Sequence, residues 1–170
     1  MKSNSQAVEA VALYRKVLAK QADGSVTIIS VGFFTNLADL LRSGADKYSK
    51  LDGEQLVKKK VKQLVSMATG IGTDGKTFSE YNVNVDAASA QKVFKDWPTP
   101  ITLSGFEIGE KILTGIRLIN NISIKNSPVK DAFQIALTKD NNTTGRNSWD
   151  ENRRTNSHQG AQTLFYLSQT

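Results

Sequence analysis

Apolar residues recur at three- and four-residue spacing in several stretches of the chain, and this spacing predicts helices with one buried face. In the first stretch Val8, Val11 and Leu18 share a face, and Gly24 follows as a stop signal. The predicted helices are Ala7–Lys20, Asn36–Ser43 with Thr35 as cap, Glu54–Lys60, Ala87–Phe94 with Asp86 as cap, Ile108–Ile119, in which Gly115 is unfavourable, and a helix from Ser127-Pro128 through Leu137.

Three shorter apolar stretches alternate with these helices and predict buried strands. They are Ser25–Val31, Val61–Met67 and Ile101–Leu103. Strands that alternate with helices imply βαβ units, a parallel sheet and right-handed crossovers. The predicted fold class is therefore α/β, with an open, mainly parallel sheet and helices on both faces.

The stretch Thr77–Asp86 carries the most suggestive polar pair, Glu80 and Asn82. If the segment is extended, side chains two positions apart point the same way and converge on one ligand. A carboxylate accepts hydrogen bonds and an amide both donates and accepts them, so the pair suits the vicinal diol of a sugar. Thr35 and Gly105 also follow predicted strands, and ligands of parallel sheets bind at that rim.

Other chemistry is weakly supported. The 170-residue chain carries a formal net charge of +6, but the densest basic cluster, around Lys58–Lys62, lies beside apolar residues as on a solvated helix face. No basic stripe with stacking aromatics, phosphate-binding glycine loop or membrane-spanning run is present, so neither nucleic acid nor a membrane is a predicted partner. The chain has no cysteine, and its one histidine, His158, lies in a polar tail.

Asp150 follows Trp149 at the end of a long polar loop. Two interpretations of this carboxylate stay open on the residues alone. It is either a helix N-cap, which is the commoner use of an aspartate after a loop, or an oxygen ligand of a hard cation.

Taken together, five segments resemble the inosine-uridine-preferring nucleoside hydrolase family in both order and spacing. The resemblance covers about residues 7–151. The segments are A-V-E-A-V-A-L-Y-R-K-V-L-A at Ala7–Ala19, S-V-T-I-I-S-V-G-F-F-T-N-L-A-D-L-L at Ser25–Leu41, E-Y-N-V-N-V-D-A-A-S-A-Q-K-V-F at Glu80–Phe94, W-P-T-P-I-T-L-S-G-F-E-I-G at Trp97–Gly109, and S-W-D at Ser148–Asp150.

The resemblance implies a Rossmann-like fold and hydrolysis of the N-glycosidic bond of ribonucleosides to free base and ribose. It implies a Ca²⁺ cofactor, with the backbone carbonyl of Thr35 and the carboxylate of Asp150 among its ligands. It also implies that Glu80 and Asn82 bind the ribose. Members of the family are homo-oligomers. A cytoplasmic or periplasmic location is expected, because no signal peptide is recognisable but the native N-terminus is expected to be missing.

Three departures from the family are expected to matter. The N-terminal D-x-D-x-x-x-D-D-type cluster, which supplies most calcium ligands and the general base, has no counterpart, so the catalytic base is unassigned. Trp149 stands where well-known members carry a histidine near the leaving base. A ribose-contacting asparagine has no clear counterpart either, since Asp74 only falls near its position. Activity is therefore expected to be impaired, and the alternative is a non-catalytic remnant that keeps a ribose- or nucleoside-binding edge.

The predicted domain organisation is a partial, truncated hydrolase domain over residues 1–151, followed by an atypical polar tail over residues 152–170. The family continues after S-W-D-E with an apolar helix, whereas this chain continues with N-R-R-T-N-S-H-Q-G. Our hypothesis is that one extra base has shifted the reading frame after Glu151. The coding DNA tests this directly, since the shifted frame should be open and encode apolar residues.

Overall fold

The computed structural model describes residues 7–150 and the backbone of residues 163–165. Helices and strands alternate through most of this range, as the sequence predicts. The helices are α1 (Ala10–Leu18), α2 (Thr35–Arg42), α3 (Gly53–Lys60), α4 (Tyr81–Asn84), α5 (Ala87–Asp96), α6 (Phe106–Glu110), α7 (Ile116–Ile119) and α8 (Pro128–Lys139). The strands are β1 (Val26–Ser30), β2 (Val61–Ile71), β3 (Thr77–Phe78), β4 (Ile101–Gly105), β5 (Leu113–Thr114), β6 (Arg146–Asn147) and β7 (Thr163–Phe165).

The main sheet has β2 at its centre. Strands β1 and β4 pair with it in parallel, with Ile28 opposite Leu64 and Leu64 opposite Ile101, and β7 adds in parallel to the far side of β1. At its carboxyl end β2 continues past this ladder and turns back as a short antiparallel hairpin with β3. This parallel sheet, flanked by helices, confirms the predicted α/β class. The predicted tail over residues 152–170 lies outside the described residues apart from the β7 backbone.

The core lies on one face of the sheet, under α1, α2, α3 and α5. Leu18, Phe34, Leu40, Val57 and Val93 are each almost fully buried there, together with inward residues of β1 and β2. The alternate strand residues Ile29, Val65 and Met67 point to the opposite face and are buried too. Burial on both faces is the reason that these strands have nearly continuous apolar sequences.

A buried arginine fixes the loop between α2 and α3. Arg15 of α1 is 2% exposed, and its Nε lies 2.9 Å from the carboxylate of Asp46. Its two terminal nitrogens donate to Ser43 Oγ and to the backbone carbonyls of Ser49 and Leu51, at 3.0, 3.2 and 2.8 Å. One side chain thereby gathers four points of a mostly polar loop, in which Leu51 also packs against the core.

The predicted helix Ile108–Ile119 is wrong. The region contains the short helices α6 and α7, with the two-residue strand β5 between them. The first helix ends at Glu110, and Gly115 is the N-cap of α7, with a φ of 96° that a helix interior excludes. A Cβ at this position would also meet the ring of Phe133 of α8. The glycine inside this apolar run therefore marks the start of a second, shorter helix and is not a tolerated residue inside one long helix.

Candidate functional site

Glu80 and Asn82 lie together at the carboxyl end of β2, but not because the segment is extended. Glu80 is the N-cap of the single-turn helix α4, and its Oε1 accepts a hydrogen bond from the backbone N–H of Asn82 at 2.9 Å. Asn82 is thus a helical residue. The expectation of an extended Glu80–Asn82 pair was wrong, and helix capping brings the two residues together instead.

The Asn82 side chain is held by the end of strand β2. Its Nδ2 donates to the backbone carbonyl of Met67 at 3.1 Å and lies 3.5 Å from the Met67 sulfur. This contact fixes which end of the carboxamide faces the strand. Met67 was not singled out in the sequence analysis, although its position at the end of the predicted strand Val61–Met67 was a usable signal.

Glu80 is unusually buried for a carboxylate, at 7% exposed. This burial raises the pKa of Glu80 above its usual value, because the ionised form loses hydration, and backbone N–H groups of α4 oppose that rise. The negative charge of Asp150 adds to it. The two carboxyl groups therefore interact electrostatically, although they are far apart in sequence.

Thr35 does not cap α2, contrary to the sequence prediction. It is the first residue of that helix, and Phe34 occupies the N-cap position without a side-chain hydrogen bond. The Thr35 hydroxyl instead donates to the Oδ2 of Asp86 at 2.6 Å, and Asp86 caps α5 as predicted. The loop before α2 also reaches α4, because the ring of Phe33 packs edge-on against Tyr81, with centroids 5.8 Å apart.

Trp149 and Asp150 are positioned by α6 and β5. The backbone N–H of Ser148 donates to the carbonyls of Gly109 and Ile112, and the indole Nε1 of Trp149 donates to the carbonyl of Phe106 at 3.0 Å. A cavity of about 650 Å³ opens beside Trp149 and Asp150, with the apolar face of α8 as its other wall. Cavities of this size hold small ligands in proteins. The alternative prediction, that Asp150 caps a following helix, concerns positions outside the described residues.

The residues described do not on their own fit a calcium ion. Calcium takes six to eight oxygen ligands, several of them carboxylates. Within residues 7–150, no three carboxylate, histidine or cysteine side chains are grouped as a metal site would require. The Thr35 carbonyl belongs to the first turn of α2 and Asp150 is a single exposed carboxylate, so the two predicted ligands supply only a fraction of a coordination sphere.

The sequence model of the inosine-uridine preferring nucleoside hydrolase family matches residues 1–161 of the chain. The chain belongs to this family. The match confirms the resemblance predicted from the five segments, and the parallel sheet flanked by helices agrees with the fold of these hydrolases. The matched range also extends past Glu151 into the polar tail.

Among characterised nucleoside hydrolases, the chain is similar to proteins of Shewanella named pyrimidine-specific ribonucleoside hydrolase RihA. The protein of strain ANA-3 is 36% identical over 103 residues, which is 61% of this chain and 29% of that protein. The proteins of strains MR-4 and MR-7 are each 35% identical over the same length. The matched part thus spans less than a third of the length of these relatives.

The structure bears on two expectations about partners, namely that neither nucleic acid nor a membrane is one. The lysines at the end of α3 are partly engaged, because Lys60 donates to the carboxylate of Asp23 at 2.7 Å and Lys59 lies 3.9 Å from the same group. The absence of nucleic acid as a partner remains a prediction. In the described part of the chain no helix is both long and apolar enough to cross a membrane.

Proposed function

We propose that this chain binds ribonucleosides at Glu80 and Asn82 and takes part in hydrolysis of their N-glycosidic bond. The observation that carries the proposal is a buried carboxylate beside an oriented carboxamide at the carboxyl end of the central strand. The carboxylate of Glu80 and the Oδ1 of Asn82 offer hydrogen-bond acceptors to adjacent ribose hydroxyls, since the Asn82 amide protons are directed at Met67. Membership of the nucleoside hydrolase family supports the reaction class.

The reaction adds water across the bond between the ribose C1′ and the base nitrogen. As that bond breaks, positive charge develops on the sugar ring, and the water oxygen forms the new bond to C1′ while the base leaves with a proton. An ionised Glu80 stabilises that positive charge electrostatically, and its partial burial makes the interaction stronger than it would be in water. The group that accepts the proton of water has no assignment among the described residues.

The proposed substrates are pyrimidine ribonucleosides, with inosine as the comparison. The names of the Shewanella relatives favour pyrimidines. The cavity beside Trp149 has room for a nucleoside base, and its apolar wall on α8 suits the flat face of one. The Trp149 indole donates its only proton to Phe106, so we propose that it contacts the base as an apolar surface and not as an acid.

We further propose that Thr35 and Asp150 contribute to a calcium site only together with oxygen ligands from outside residues 7–150. A titration of the chain with Ca²⁺ tests this. Millimolar or weaker affinity is expected if these two residues act alone, and Asp150→Asn should remove it. Tight binding that survives Asp150→Asn would show that Asp150 is not a ligand.

The deciding experiment measures ribose release from uridine, cytidine and inosine with and without Ca²⁺. If the chain hydrolyses any of them, Glu80→Gln should lower kcat by about 100- to 1000-fold, as the loss of one transition-state electrostatic contact does. Asn82→Ala should mainly raise KM. Asn84→Ala is the matched control, because Asn84 lies in the same helix but its side chain bonds to Ser79. Equal losses in all three variants would show that they disrupt the loop and not a sugar site.

A second candidate function is ribonucleoside binding without hydrolysis. The observation that favours it is the lack of a grouped set of metal-binding carboxylates within residues 7–150. Calorimetric binding of uridine that is lost in Asn82→Ala, with no ribose released over hours, would identify this second function. Absence of both binding and release in a folded chain would refute both candidates.

A further inference from the structure

Three aromatic rings form a continuous row at the rim of the sheet. The Phe78 ring meets the Phe106 ring edge-on, with centroids 6.1 Å apart, and Phe106 stacks on Trp149 at 5.0 Å. The three residues come from β3, from the start of α6 and from the loop after β6. The row therefore connects three segments that lie far apart along the chain.

The two ends of this row adjoin the two carboxylates of the site. Phe78 lies two residues before Glu80, and Trp149 lies immediately before Asp150. The charge of Asp150 contributes to raising the pKa of Glu80, which agrees with the two carboxyl groups being brought near each other.

Hydrogen bonds of Phe106 and of the residue after it hold the central ring of the row in place. The carbonyl of Phe106 accepts the indole proton of Trp149, and the next residue, Glu107, accepts the backbone N–H of Ile71 at 2.9 Å. Both ends of the row rest on glycines. A Cβ at Gly70 would overlap the Phe78 ring, and one at Gly109 would overlap the Trp149 backbone. The close approach of these rings thus depends on the absence of side chains beneath them.

We propose that Phe106 is a positioning residue that sets the distance between the Glu80–Asn82 loop and the Trp149–Asp150 loop. The inference rests on the proposed function, because it assigns Phe106 a role at that same site. Phe106 acts through its ring contacts with Phe78 on one side and Trp149 on the other, so its removal lets the two loops separate while the sheet and core stay intact.

Nuclear magnetic resonance tests the connection without any substrate. Phe106→Leu should shift both the indole N–H signal of Trp149 and the side-chain amide signals of Asn82. Phe106→Tyr, which keeps the ring, should restore both. The Trp97 indole, which donates to Thr99 Oγ1 at 2.9 Å, is an internal reference that should not move. A shift at Trp149 with no change at Asn82 would overturn the proposal.

Affinity for uridine supplies the functional readout. Phe106→Leu should weaken binding by about two- to tenfold, the change expected from losing one aromatic pair, and Phe106→Tyr should recover it. Phe94→Leu is the matched control, because it removes a comparable aromatic contact, with Phe34 of the core at 4.9 Å, that is not part of the row. Unchanged affinity in a folded Phe106→Leu chain would overturn the proposal. If the wild-type chain binds no nucleoside, the proposed function fails, and the Asn82 and Trp149 signals alone decide the positioning role.

Discussion

Replacing Arg15 with methionine should destabilise the chain more than a typical substitution. The change keeps most of the apolar side-chain volume but removes the ion pair with Asp46 and the hydrogen bonds to Ser43, Ser49 and Leu51. Breaking a buried pair costs about 3–5 kcal/mol, because it leaves partners without compensation. Asp46 is 29% exposed and regains some hydration, which places the expected loss at the lower end, about 3 kcal/mol.

Urea unfolding at neutral pH, followed by circular dichroism, measures this loss. With a urea dependence of about 2 kcal/mol per molar, the midpoint should fall by about 1.5 M. The control is Arg42→Met, since Arg42 pairs with Asp39 on the surface, where both side chains are 49% exposed. Such exposed pairs contribute about 0–1 kcal/mol. A loss below about 1 kcal/mol for Arg15→Met, or one equal to the control, would refute the reasoning.

The Arg15–Asp46 pair should also make the free energy of unfolding depend on pH, in a direction that the pKa of Asp46 defines. The hydrogen bond from Arg15 holds the pKa of Asp46 below its usual value. A carboxyl with a lowered folded pKa contributes stability above its unfolded pKa, and this contribution disappears as pH falls through the folded value. The stability difference between wild type and Arg15→Met should therefore be constant near neutral pH and narrow below about pH 4. It should not vanish, because the bonds to the two carbonyls do not titrate.

Three further substitutions test local features. Thr35→Val removes the hydroxyl that lowers the pKa of Asp86. Carbon-detected titration should therefore show that pKa rising toward its usual value. An unchanged pKa would contradict the 2.6 Å hydrogen bond. Gly109→Ala should displace Trp149, because the added Cβ would overlap its backbone. A shift of the indole fluorescence emission would report this displacement. A wild-type spectrum would show that the chain makes room for the Cβ without moving the indole. Gly115→Ala should cost about 1–3 kcal/mol in thermal unfolding, because alanine is strained at a φ of 96°, and a neutral effect would mean that the turn adopts another conformation.

The sequence predicted the sheet well because its strands are buried on both faces. Val26–Ser30 is nearly continuously apolar, and β2 is rich in apolar and β-branched residues directly after the capped helix α3, as strands of a parallel sheet are. The site was harder to predict. The spacing of Glu80 and Asn82 identified the right residues with the wrong geometry, because a carboxylate two positions before an amide fits an extended strand and a helix cap equally well.

The aromatic row was not predictable from the local sequence. Phe78, Phe106 and Trp149 lie far apart along the chain, and each reads separately as an ordinary apolar residue of a loop or helix. Their contact depends on the β2–β3 hairpin and on the short strand β5, and the sequence gives weak signals for both. Two-residue strands depend on tertiary partners and not on intrinsic preference, which is why the local sequence after β4 predicts one long helix instead.

The contacts of Glu80 and Asn82 also have an entropic consequence. Both side chains are already immobilised in the free protein, the carboxylate by the first turn of α4 and the carboxamide by the Met67 carbonyl. Ordering a mobile side chain on binding costs about 0.5–1.5 kcal/mol, and here that cost falls on folding. A small sugar, which has few atoms with which to offset such costs, therefore meets a surface whose acceptors are fixed before it arrives.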